Sequence, residues 1–317
     1  GTVAHEFFHA YNVERIRPQD LEPFDFQRAN MSNSLWFAEG FTQYYGELLL
    51  RRAGAYTDEQ YLQEAVGPLV NAMLNSPGAA RFSPVHMSQQ APFVDAAAAI
   101  DPSNRANTYL SYYYIGGANA LALDLLLRQH FRTTLDAYMR AVWQQYGQHQ
   151  QNYAPARPYT LPDLQRVLGE VAQDTAFAGR FFRTHIYGHQ LPNYPELLAP
   201  AGLTVRRANA GQASLGARLS FNPDGTATLG TTLIGSPLYQ AGLDREDVLL
   251  KLDGKPLKNA ETLQKLLARR KPADVVQVEY RTRDGVRTAP VTLQEDPTLE
   301  VVSVPAPTAE QLAFRKA

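Results

Sequence analysis

Cysteine is missing from this chain altogether. Disulfide staples are therefore excluded, and so is a thiol nucleophile. Net charge is nearly missing too: 30 Lys and Arg stand against 31 Asp and Glu, giving -1. That balance supplies no basic surface for nucleic acid or for an anionic membrane. No apolar run is long enough to span a bilayer, and the alanine-rich residues 96–100 read as a short loop or turn. What remains is a globular composition. With 317 residues, 44% hydrophobic and 19% charged, the chain can bury sizeable cores and is expected to form two domains.

The chemistry concentrates at the start. His5-Glu6-Phe7-Phe8-His9 is an HExxH motif. On a helix of 3.6 residues per turn, positions 5 and 9 share one face, so two imidazoles can converge on a zinc ion while Glu6 faces a water beside it. The flanking Val3, Ala4, Phe7, Phe8 and Ala10 are apolar. A buried helix is expected from them, with His and Glu side chains that need partners. A second helix is expected over residues 35–50, a long aromatic and aliphatic run, with Ser32 or Ser34 as N-cap. Within it Glu39 lies among Trp36, Phe37, Phe41, Tyr44 and Tyr45. An unpartnered carboxylate there is costly, and coordination or a salt bridge would offset the cost. Glu39 is thus the candidate third ligand, leaving one coordination position open. Gln43 and Glu47 follow on roughly the same face; either could orient a ligating histidine or belong to a solvated face. These residues read together as a zinc peptidase site.

HEFFHAYNVERIRP at residues 5–18, LWFAEGFTQYYGELLL at 35–50 and YLSYYYIGGANALALDLLLR at 109–128 resemble the glycyl aminopeptidase family of gluzincin peptidases. The resemblance runs over essentially the whole chain. It implies an α+β multidomain protein in which a mostly helical, thermolysin-like catalytic domain precedes a small β-rich PDZ domain. It also implies Zn2+ on His5, His9 and Glu39, with Glu6 as general base. The thirty positions from His9 to Glu39 are in keeping with that family. Related aminopeptidases carry Tyr-x-Lys-Gly-Ala, whose tyrosine stabilises the tetrahedral intermediate. Tyr114-Ile115-Gly116-Gly117-Ala118 matches except that Gly116 stands at the lysine. Tyr114 is the carried-over oxyanion donor and Tyr113 the fallback. The implied substrates are peptides with a small N-terminal residue, Gly or Ala.

The chain opens only four residues before His5. Gluzincin sites normally include a preceding sheet whose edge strand binds the substrate, and acidic residues that grip the substrate amino terminus also lie upstream in relatives. The chain is therefore expected to be a C-terminal piece of a longer enzyme, without any signal or anchor the whole carries. A bacterial periplasmic or secreted location is favoured over a cytoplasmic one.

Residues 1–199 read as the helical domain, with further helices over 59–74, 118–131, 135–146 and 161–171 and a long loop over 77–107. His185 and His189 repeat the four-residue spacing, but Gly188 lies between them and no acid sits at a useful distance. They are expected to be structural or surface residues; His86, His130 and His149 are given no role. From about residue 203 short alternating segments appear at 217–221, 226–233, 248–252 and 275–280, with turns at Asp224-Gly225, Asp253-Gly254 and Asp284-Gly285 and a helix near 260–269. Residues 200–297 resemble a bacterial PDZ domain, through Gly235 to Leu243, Asp247-Val248-Leu249 and Asp253-Gly254. The resemblance places a carboxylate-binding loop at Leu215-Gly216-Ala217 and a groove for a peptide C-terminus beside residues 217–221, or else a module that only packs and positions substrate. Residues 298–317 form a tail with a short helix over 309–317. The alternative function is a peptide-binding module in a catalytically incomplete fragment.

Overall fold

The computed structural model of the chain describes residues 1–94 and 101–316, so the alanine-rich stretch 96–100 lies outside the described residues. Contacts cluster into two units. One holds the described residues of 1–100, 109–206 and 299–317; the other holds 101–108 and 207–298. The architecture is α+β, with helices dominating the first unit and strands the second.

The first unit is organised around the helix Tyr112–His130, buried over most of its length. Its sequence explains why neighbours come so close. Gly116 and Gly40 meet backbone to backbone: a Cβ on Gly116 would lie 2.0 Å from the Trp36 carbonyl oxygen, and one on Gly40 would lie 2.4 Å from the Gly116 Cα. Only glycine fits at that crossing. Lower on the same helix, buried Asp124 accepts from Tyr44 Oη at 2.9 Å and from the Leu135 amide at 2.9 Å, and pairs with Arg128 at 3.0 Å. A buried charge with that many partners is tolerated.

The expected helices occur with instructive differences. The run at 35–50 is divided into Leu35–Ala38 and Gly40–Arg52, with Glu39 at the junction. Ser34 takes the N-cap position without a capping hydrogen bond, while the Ser32 hydroxyl donates to Asp20 at 2.8 Å. The 59–74 segment contains a π-helical turn, Leu62–Val66, and the 135–146 segment ends in another, Trp143–Gly147. Residues 77–107 are more than the loop expected, since Pro84–Gln89, Ala91–Val94 and Arg105–Thr108 are helical. Ser83 caps the first by accepting from the His86 amide, with Pro84 preset at the first helical position.

The second unit is an antiparallel sheet in the order Gly285–Thr292, Val275–Thr282, Val248–Leu252, Ala227–Leu229, Leu219–Phe221, with Lys255–Pro256 also paired to the middle strand. Gly285–Thr292 was not anticipated from the sequence; it closes a hairpin in which Gly285 pairs with Thr282 and Thr292 with Val275. Alternation explains the packing. Val276, Val278 and Tyr280 point into a core with Leu229, Leu249 and Leu252, while the residues between them are more exposed. Truncating a fully buried leucine such as Leu249 to alanine costs about 2–5 kcal/mol. The strand Leu203–Arg207 pairs with Leu299–Ser303, and a helix follows at Ala309–Lys316. No helix among the described residues is long and apolar enough to cross a membrane.

Candidate metal centre

The HExxH segment forms the helix Thr2–Phe8, and helical turns continue past it, with the Asn12 amide bonded to the Phe8 carbonyl at 3.2 Å and Val13 to His9 at 3.2 Å. This helix lies directly on Gly40–Arg52. A Cβ on Gly46 would sit 3.0 Å from the His5 amide nitrogen, so the glycine permits the approach. Phe8 stacks on Tyr45 with ring centroids 4.7 Å apart. Only that face is covered. Val3 is 84% exposed, Phe7 71% and Tyr11 51%, and His5 is the single buried residue of the helix. The expectation of a buried helix is therefore wrong. Positions 3, 7 and 11 recur on the face turned away from the partner helix, and apolar composition alone does not distinguish the faces.

His5, His9 and Glu39 come together. The Nε2 atoms of the two histidines are 3.1 Å apart, and Glu39 Oε2 lies 3.2 Å from each. The orientation of His9 is decided by chemistry: its Nδ1 is 2.7 Å from the Asn12 carbonyl oxygen, which can only accept. Nδ1 therefore carries a proton, and in the neutral ring the Nε2 lone pair faces Glu39 and His5. Three electron-rich atoms in one small triangle call for a shared proton or a cation. In the absence of an ion, the hydrogen bond to Glu39 raises the pKa of His9 against the opposing effect of burial. Burial pushes the Glu39 carboxyl up, but hydrogen bonds from His5 and His9 outweigh it and hold the group at about 2. Glu39 is ionised, as a ligand must be.

The triangle fits a metal. Tetrahedral bonds of about 2.0–2.1 Å put neighbouring ligand atoms about 3.3–3.4 Å apart, a few tenths of an ångström wider than the separations here. No other group of three His, Asp or Glu ligand atoms among the described residues converges in this way.

The other anticipated residues are placed less centrally. Glu6 is exposed, and its charge contributes to raising His9. Tyr113, not Tyr114, has its ring against His5, with centroids 5.6 Å apart. Tyr114 is 45% exposed and lines a cavity of about 240 Å³ with Tyr113, Gln43, Glu47, Glu64 and Ser111. Gln43 donates to Glu47 at 3.4 Å rather than to His5 or His9, and a main-chain carbonyl orients His9. Side-chain patterns do not reveal that carbonyl. The glycines Gly40 and Gly46, six apart in a bulky helix, permit two close crossings, a feature not anticipated from the sequence. His185 Nδ1 bonds the Gln190 carbonyl at 2.6 Å, and the helical segment ends at Ile186, before His189.

The fold is that of an aminopeptidase N family protein from Idiomarina loihiensis, on which the chain superimposes with a TM-score of 0.84 at 22% identity. The match covers 98% of this chain and 53% of that one, so the chain spans about half the length of that relative. Residues 1–118 match the family model of the M61 glycyl aminopeptidases, the family that the three motif stretches resemble. Two partial overlays, on a serine endoprotease from Yersinia pestis and on the HtrA3 PDZ domain bound to a phage-derived ligand, are too slight to carry an argument. They have TM-scores of 0.24 and 0.23 at 17% and 18% identity, covering 27% and 32% of this chain and 30% and 93% of those chains. No curated protein matches the chain.

Proposed function

We propose that the chain carries the catalytic centre of a zinc-dependent peptidase, an aminopeptidase releasing small N-terminal residues such as Gly or Ala. The observation that carries this reading is the triangle of His5 Nε2, His9 Nε2 and Glu39 Oε2, with separations of 3.1–3.2 Å. Two imidazole nitrogens and a carboxylate oxygen are a donor set suited to zinc in a catalytic site, with a fourth position left for water or substrate. The metal, when bound, supplies a Lewis acid that lowers the pKa of a water and polarises the scissile carbonyl. Glu6 takes the proton of the attacking water and delivers it to the leaving amine. Tyr114 donates a hydrogen bond to the developing oxyanion, with Tyr113 as the alternative donor. The preference for small residues rests on the match of residues 1–118 to the glycyl aminopeptidase model.

The deciding experiment combines zinc analysis with hydrolysis of glycyl and alanyl anilides. Glu6→Gln is expected to keep its zinc and lose about 100- to 10,000-fold in rate. A Glu6→Gln protein working at the wild-type rate would end the assignment.

A second reading concerns residues 207–298 by themselves. Leu219–Phe221 is the edge strand of the sheet, and the preceding Gly216 has φ of +69°. An edge strand after a glycine-bearing loop is the arrangement by which PDZ domains add a peptide strand and bind its carboxylate. Peptides with a free C-terminal carboxylate should bind more tightly than their amides in an anisotropy titration; equal affinities would remove this reading.

A further inference from the structure

We propose that the side chain of Asn12 is a positioning residue for the metal ligands, tying the turn that orients His9 to the backbone that carries Glu39. This rests on the reading of His5, His9 and Glu39 as a metal centre. Asn12 is 0% exposed. Its Nδ2 donates to the Phe37 carbonyl at 3.0 Å and to the Ala38 carbonyl at 3.2 Å, the two carbonyls immediately before Glu39, and lies 3.3 Å from Thr42 Oγ1. Its own carbonyl oxygen receives the His9 Nδ1 proton at 2.7 Å and lies 3.1 Å from the Thr42 hydroxyl, which is 2.6 Å from the Ala38 carbonyl. One buried residue thus grips both ligand-bearing segments at once. Its main chain fixes the tautomer of His9, and its amide fixes the place where the helix breaks at Glu39.

The amide is not there for packing. Its Oδ1 is buried with no hydrogen-bond partner among the described residues, a penalty that an apolar side chain of similar size would not carry. What the amide supplies is a pair of donors aimed at two carbonyls of the other segment. A metal site requires its ligand atoms to be held within about half an ångström of the working geometry. Removing the Asn12 amide changes none of the three ligands and keeps a carbonyl at position 12. What is lost is the tie between them.

The test is titration of the full chain with Zn2+ and with Co2+, whose visible bands report ligand geometry, alongside circular dichroism of the metal-free proteins. Asn12→Ala is expected to weaken metal binding about 10- to 100-fold and alter the Co2+ bands, with an unchanged metal-free spectrum. A merely structural role would lower the melting temperature of the metal-free protein and leave affinity and Co2+ bands as in wild type, which would overturn the proposal. Should Asn12→Ala not fold, Thr42→Val decides: weaker binding that Thr42→Ser restores supports the clasp, and wild-type affinity in Thr42→Val overturns it. Wild-type protein that takes up no more Co2+ than His9→Ala brings down the metal-centre reading and this proposal with it. That outcome is distinct because the wild type itself is then silent.

Discussion

Two pairs of histidines in this protein share one spacing and have different environments. His5 and His9 stand four apart, and so do His185 and His189. Each pair even has a ring whose Nδ1 is bonded to a main-chain carbonyl, His9 to Asn12 at 2.7 Å and His185 to Gln190 at 2.6 Å. The difference lies in what arrives from elsewhere. The first pair receives Glu39 from a helix junction thirty residues further on, brought in where Gly46 and the Gly40–Gly116 crossing let backbones touch. The second pair sits at a π-helical turn that ends before His189, and the ring of His185 packs on Phe181 at 5.3 Å. Spacing along a helix aligns two nitrogens; a cation site needs a third ligand, and that is a tertiary event.

The comparison can be broken most decisively by removing histidines from each pair in turn. His9→Ala is expected to weaken metal binding at least about 1,000-fold, whereas the double variant His185→Ala, His189→Ala should retain wild-type metal content after dialysis. Metal loss in the second variant would reverse the assignment. The next largest effect separates the two tyrosines near the first pair: Tyr114→Phe should lower kcat about 100-fold with metal content unchanged, and Tyr113→Phe should do less. A larger loss in Tyr113→Phe would move the oxyanion role to the ring that lies against His5.

The crossing that delivers Glu39 is sharpened by Gly116→Ala. Its new methyl would meet the Trp36 carbonyl oxygen at 2.0 Å, and overpacking of this kind costs about 1–3 kcal/mol, readable as a lower midpoint in urea. The smallest effect is in protonation. In metal-free protein the His9 ring should titrate above the ordinary 6.5, because of its hydrogen bond to Glu39, and the His185 ring below it, because of burial. Proton NMR of the two rings checks this order. The linkage signs are opposite. The contribution of His9 is fully present below 6.5 and fades as pH rises through its raised pKa; that of His185 is present above 6.5 and is lost as pH falls through its lowered one.

Much of the centre was legible. The HExxH spacing puts His5 and His9 on one face because the helical period is fixed, and Glu39 stood out as a carboxylate among aromatic residues that had to find a partner. The alternation at 248–252 and 275–280 showed the sheet, since a period of two leaves few other readings. Less was legible where the determinant was not a side-chain type. Whether Gln43 or Glu47 orients one of the histidines could not be read, because the group that orients His9 is the main chain of Asn12. Exposure of Val3 and Phe7 could not be read either, because an apolar residue carries no record of which side of its helix is covered. The strand Gly285–Thr292 was missed because only Ala289 and Val291 are buried within it, while Val286 and Pro290 are exposed and Arg287 stands on the buried face, so no clean alternation appears.

The sequence by itself determined the donor atoms, the phase of the two histidines and the places where glycine would allow close contact. These are local, set by bond geometry and the presence or absence of a Cβ. Tertiary structure alone decided that Glu39 reaches the histidines, that Tyr113 rather than Tyr114 lies against His5, and that Asn12 joins the segments carrying His9 and Glu39. Each of these is a distance between residues remote in the chain, and such distances exist only once the helices have packed.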